Sequence, residues 1–142
     1  MAFQEDELIY LVDAAGKKTW IKVAYSMLKV ASLGTVDGTR FRDLDDGSRI
    51  SIVGREYTAF RPGTMELMES LDRGAQIITP KDAATILLNC DIRCGKNVLE
   101  VGAGSGGLTT ALLSAVAPEG SVHTIELREE NALRVLKNLK RT

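Results

Sequence analysis

Apolar and polar residues alternate along this chain in two different rhythms. In the first half the period is close to two. Leu8-Ile-Tyr-Leu-Val12 is a short β-prone run, and Asp13-Ala-Ala-Gly-Lys17 supplies turn residues. Thr19-Trp-Ile-Lys-Val23 then alternates as a half-buried strand does, and Arg49-Ile-Ser-Ile-Val53 and Tyr57-Thr-Ala-Phe60 read as two more, parted by Gly54. Several short strands with turns between them predict a small barrel-like β domain over residues 1–71. Arg61-Pro-Gly-Thr64 closes it, with a short helix or connector from Thr64 to Leu71.

From Arg73 the rhythm lengthens. Thr79 is placed to cap a helix, with Pro80 at its first position, Asp82 three residues after the cap, and alanines and leucines carrying on to about Asn89. Asp91-Ile-Arg-Cys-Gly95 turns the chain into a strand at Val98-Leu-Glu-Val101, and Leu108 to Ala117 is helical. Pro118-Glu-Gly120 makes the next turn, Ser121-Val-His-Thr-Ile-Glu126 a second strand, and Arg128 to Lys140 an amphipathic helix with Leu133, Leu136 and Leu139 on one side. Helix, strand, helix, strand, helix is how a doubly wound α/β sheet begins, so residues 72–142 predict the first part of a Rossmann-like domain. Two parallel strands do not make a stable parallel sheet alone. The expectation is an N-terminal portion of a longer protein, favoured by the finish inside a helix pattern, or else pairing between chains.

The candidate chemistry sits between the two strands, at Glu100-Val-Gly-Ala-Gly-Ser-Gly-Gly107. Glycines at a strand-to-helix turn let a ligand approach the backbone, and the N–H groups of the first helical turn face it. Gly102, Gly104 and Gly107 satisfy the dinucleotide fingerprint G-x-G-x-x-G, which alone is weak. Gly102, Gly104 and Gly106 equally satisfy E-x-G-x-G-x-G, with Glu100 two residues ahead. A carboxylate there crowds an anionic pyrophosphate and suits a ligand with an amino group and a sulfonium charge, as S-adenosylmethionine has. Glu126 ends the second strand, where an acidic residue accepts hydrogen bonds from ribose hydroxyls, and a right-handed crossover would bring it to the glycine loop.

Composition narrows the class. An apolar fraction of 44% and a charged fraction of 26% are those of a soluble globular protein. No run approaches the ~18–20 apolar residues of a membrane span and no leader opens the chain, so a cytoplasmic location is expected. Cys90 and Cys94 have no second pair, and the single histidine is His123, so a zinc site is poorly supported; two reduced cysteines and a packed strand histidine are expected instead. With a net charge of −1 the chain has no global attraction for nucleic acid, and any RNA binding has to come from local patches.

Glu100 to Gly106 resembles the first motif of the class I methyltransferases. Arg73-Gly-Ala-Gln-Ile-Ile-Thr-Pro-Lys-Asp-Ala-Ala84 is narrower, and resembles the segment ahead of that motif in tRNA (adenine-N1)-methyltransferases of the TrmI type, which act on N1 of a T-loop adenosine. The similarity runs through Val98 to Leu112 and Thr124 to Leu139 and reaches back into the β domain. It implies that Gly102, Ala103, Gly104, Ser105, Gly106 and Gly107 wrap the methionine end of S-adenosylmethionine, with Leu108 at the helix start. It further implies that Glu126 holds the ribose, that Gln76 lies in a loop over the cofactor, and that Asn131 stands near the adenosine. Under the same resemblance the β domain grips tRNA, with Lys17, Lys18, Arg40 and Arg42 as phosphate contacts, and the assembly is a homotetramer. The family's catalytic aspartate lies on a later strand tip, and nothing in residues 1–142 matches that segment. The rival expectations are a non-catalytic tRNA-binding subunit, a methyltransferase for another substrate such as protein isoaspartyl residues, and an NAD-dependent oxidoreductase.

Overall fold

The computed structural model describes residues 1–74 and 77–141. The chain divides into two compact units, Met1–Pro62 and Gly63–Thr142.

The first unit is built of short antiparallel strands: β1 (Leu8–Val12), β2 (Lys18–Lys22), β3 (Met27–Val30), β4 (Gly34–Asp37), β5 (Arg49–Ile52) and β6 (Arg55–Phe60). Four of them form one sheet in the order β2-β1-β6-β5, while β3 and β4 pair only with each other. Here the expected barrel gives way to open sheets. The hairpin β3–β4 pairs as a strand with neither edge of the larger sheet, so no ring of backbone hydrogen bonds closes. The alternation read from the sequence holds strand by strand: Ile9, Leu11, Ile21, Ile50, Ile52, Tyr57 and Ala59 turn to a core completed by Phe3, Val23, Val36 and Phe41. The first turn is tied by Asp13, whose Oδ1 accepts from the N–H groups of Ala15 and Lys17, both at 2.9 Å.

The second unit runs α1 (Thr64–Ser70), α2 (Pro80–Asn89), β7 (Asn97–Val101), α3 (Gly107–Val116), β8 (Ser121–Ile125) and α4 (Glu129–Arg141). α1, expected to end the β domain, packs here instead, because Met68 is buried with Ala83 of α2 and Ala111 of α3. The cap of α2 forms as read: Thr79 Oγ1 accepts from the Asp82 N–H at 3.3 Å and donates to Asp82 Oδ2 at 2.7 Å. β7 and β8 are parallel, with Glu100 level with Thr124 and Leu99 with His123. α3 is buried along most of its length and packs on both strands. The opposite strand face, Leu99, Val101 and Ile125, is exposed. His123 lies on that bare face and is exposed, not packed as expected, because among the described residues nothing covers that side of the two strands.

α4 departs further from the sequence pattern. Leu133 and Leu136 are 62% and 54% exposed, whereas Asn131, Val135 and Asn138 are buried. The helix turns inward a stripe of two amides with a valine between them. The surface it meets is main chain from the glycine loop and from Asp72, which needs hydrogen-bonding partners more than hydrocarbon.

Candidate functional site

β7 ends at Val101 and the chain turns into α3 through three glycines in the left-handed region, Gly102 (φ +90°), Gly104 (φ +57°) and Gly106 (φ +87°). Gly106 is the N-cap of α3 and offers no side chain to the first helical turn. A Cβ there would also stand 2.6 Å from Val135 Cγ2, so the residue is required by both its backbone and its neighbour. The loop is pinned by Gly102 N–H donating to Ile125 O at 2.7 Å and Gly106 N–H donating to Ala103 O at 2.8 Å. A recess of ≈ 180 Å³ opens beside it, lined by Ile77, Ile78, Glu100 and loop residues from Gly102 to Leu108.

Two carboxylates bracket this loop. Glu100 is buried, and its Oε2 accepts from the hydroxyls of Thr109 on α3 (2.6 Å) and Thr124 on β8 (2.8 Å). Its Oε1 is buried with no hydrogen-bond partner among the described residues. Glu100 is among the residues lining the recess, and a buried carboxyl oxygen without a partner suits a ligand that brings a hydrogen-bond donor. Glu126 grips the loop from the tip of β8: Oε1 accepts from the Arg128 N–H at 2.9 Å and Oε2 from the Gly104 N–H at 3.0 Å. The Arg128 and Gly104 N–H groups, in that order, hold its carboxyl below its ordinary value of 4.5, with help from the Leu127 N–H and the Asn131 side chain. Glu126 is therefore an anion at neutral pH.

This arrangement discriminates between the two ligand classes left open by the glycine pattern. A dinucleotide loop spends its N–H groups on phosphate oxygens. Here the Gly104 N–H already serves the Glu126 carboxylate, which puts negative charge at the mouth. A phosphate is repelled, while hydroxyl, ammonium and sulfonium groups are attracted.

The remaining expected residues are distributed unevenly. Ala103, Ser105 and Gly107 are buried in the loop, and Leu108 lines the recess. Asn131 is buried behind Glu126 and accepts from Arg134 Nη1 at 2.9 Å. Gln76 lies outside the described residues. In the first unit, Lys17 is exposed, Lys18 Nζ lies 5.3 Å from the Tyr10 ring, Arg40 donates to Ser51 O at 2.8 Å, and Arg42 stacks 4.6 Å from the Tyr25 ring. Tyr10 also stands between Trp20 and Phe60, at ring distances of 5.3 and 5.6 Å. Sequence reasoning named the cations and passed over this row of rings, although alternate positions of paired strands carry it. It also passed over Thr109, Thr124 and Asn138, whose polar side chains inside apolar segments were the available signal. No cluster of metal-ligating side chains occurs among the described residues, and Cys90 and Cys94 are free and exposed.

Several known proteins are similar to this chain. A tRNA (adenine(57)-N(1)/adenine(58)-N(1))-methyltransferase TrmI of Methanocaldococcus jannaschii is 33% identical over 132 residues, which is 92% of this chain and 45% of that protein. The crystal structure of the tRNA (m1A58) methyltransferase TrmI of Aquifex aeolicus superposes with a TM-score of 0.75 at 29% identity, covering 99% of this chain and 54% of its own. An S-adenosylmethionine-dependent O-methyltransferase of Thermotoga maritima has a TM-score of 0.83 at 23% identity over 99% of this chain and 53% of its own, a likeness of fold. The chain thus spans about half the length of the relatives it matches. The model of the tRNA methyltransferase complex GCD14 subunit family matches residues 62–142, more than half of the sequence, and the chain belongs to that family.

Proposed function

We propose that this chain is the cofactor-binding portion of an S-adenosylmethionine-dependent methyltransferase acting on N1 of a T-loop adenosine in tRNA. The observation that carries the reading is the glycine loop held by Glu126 through the Gly104 N–H beside a buried Glu100 with one acceptor oxygen open. The residues fit the group. Gly102 to Gly107 would lie along its methionine end, with Leu108 at the helix start and Glu100 Oε1 accepting from its ammonium. Glu126 would keep the Gly104 N–H and offer its remaining lone pairs to ribose hydroxyls, and Asn131 would steady Glu126 on the adenosine side. When bound, the cofactor supplies an electrophilic methyl group on sulfonium. The chain's part is to hold that group and to shield it from water. No residue within 1–142 is nominated as the carboxylate that orients the adenine.

The first unit would grip the tRNA. Lys17, Lys18, Arg40 and Arg42 supply positive charge for phosphates, and the Trp20–Tyr10–Phe60 row supplies a stacking surface of the kind single-stranded bases use. The family resemblance points to a homotetramer.

Calorimetric titration with S-adenosylmethionine tests the cofactor reading, with NAD as control and Glu126→Ala as second sample. Saturable binding of S-adenosylmethionine and none of NAD is expected. Loss of the charged acceptor should weaken the variant at least tenfold. Folded protein that binds only NAD, or neither compound, would overturn the proposal.

A further inference from the structure

We propose that Asn138, far from the glycine motif in sequence, is a positioning residue that sets the spacing between the two walls of the cofactor pocket; this rests on the methyltransferase reading above. Asn138 is 2% exposed, and its amide is used from both ends. Oδ1 accepts from the Asp72 N–H at 3.0 Å, and Nδ2 donates to Asp72 O at 3.1 Å and to Ser105 O at 2.8 Å. The side chain thus takes the place of a peptide group, pairing with Asp72 as a neighbouring strand would and handing a second hydrogen to the glycine loop. Two residues further on, the Gly74 N–H donates to Ser105 Oγ at 3.2 Å. The Arg134 guanidinium fills the space beside Gly74, where a Cβ would come within 2.0 Å of Cζ.

Segment 72–74 is therefore fastened to the glycine loop at two points, both converging on Ser105. Ile77 and Ile78, which follow, form the wall of the recess facing Glu100 and the loop. The same helix carries Asn131, which supports Glu126. One face of α4 thereby registers both walls and the ribose-side carboxylate. Only an amide meets the donor and acceptor demands at position 138. A carboxylate of the same shape would press its charge against the carbonyl oxygens of Asp72 and Ser105, and burial would raise its pKa.

That last point gives the latch a signature. S-adenosylmethionine binding is to be measured between pH 5.5 and 8 for the unaltered chain, Asn138→Ala and Asn138→Asp, each variant scored against the unaltered chain at the same pH. Asn138→Ala should weaken binding at least tenfold at every pH. Asn138→Asp should weaken it more at pH 8 and recover as the pH falls, because a protonated carboxyl regains one donor. Glu126 remains ionised throughout that range, its carboxyl being held below 4.5. Full affinity of Asn138→Asp at pH 8, or a penalty that does not change with pH, would overturn the proposal. Amide exchange without ligand separates the two readings. If the folded, unaltered chain binds no S-adenosylmethionine, the cofactor reading falls. The latch then stands if Gly74 exchange accelerates at least tenfold in Asn138→Ala, and falls if it does not.

Discussion

Glu126 is the residue on which the local electrostatics of the site turn. Its carboxyl accepts from two backbone N–H groups, and each of these favours the ionised form. The folded pKa is lowered, so the contribution of Glu126 to the loop is fully present above its ordinary value of 4.5 and is lost only as the pH falls through the lower, folded value. The Gly104 and Arg128 amide resonances should therefore titrate together with a midpoint below 4.5. A midpoint at or above 4.5, or independent titration of the two amides, would show that the carboxylate does not clasp the loop. Both glutamates were legible as site candidates, Glu126 from its place at a strand end and Glu100 from its spacing to the glycines. What each one bonds to was not legible. Thr109 and Thr124 look like ordinary helix and strand residues until the parallel register sets Thr124 level with Glu100.

Among the elements, the turn between β5 and β6 carries an evident strain. Val53 and Gly54 form the two-residue connection, with φ of +49° and +72°. A β-branched residue is a poor occupant of the left-handed region, and Asn-Gly is the pair such a hairpin prefers. Val53 is exposed, so nothing in the core holds it there. Val53→Asn should stabilise the first unit by about 1 kcal/mol, read as a higher urea midpoint with unchanged slope; a lower midpoint would mean the valine makes a contact worth more than its strain. α4 teaches a different lesson. The spacing of Leu133, Leu136 and Leu139 announced an amphipathic helix but did not show which face is buried. Periodicity counts apolar side chains, whereas this helix docks on unsatisfied main chain, and Asn131 and Asn138 outbid leucine for that surface.

At the scale of the molecule, the succession of strands and helices and the glycine turn could be read from alternation and punctuation, because each is local. The open form of the first unit's sheets could not, since closure depends on whether β3 and β4 reach a sheet edge, and no local signal states that. The bare face of β7 and β8 presents Leu99, Val101 and Ile125 to solvent. Exposed apolar residues on a strand face favour association between copies. Light scattering should rise with protein concentration, and Ile125→Lys should suppress the rise; an unchanged profile would place the contact elsewhere. The Asp72–Asn138 pairing bears on time as well as on geometry. Its two ends are 66 residues apart, so this contact is slow to find and comes after the local hairpins and helices. During synthesis, the glycine loop and the segment before α2 both emerge ahead of the helix that joins them. A nascent chain that has not yet made α4 already carries every glycine of the pocket, yet its two walls remain free to drift apart. The spacing of the two walls is therefore set only once α4 docks.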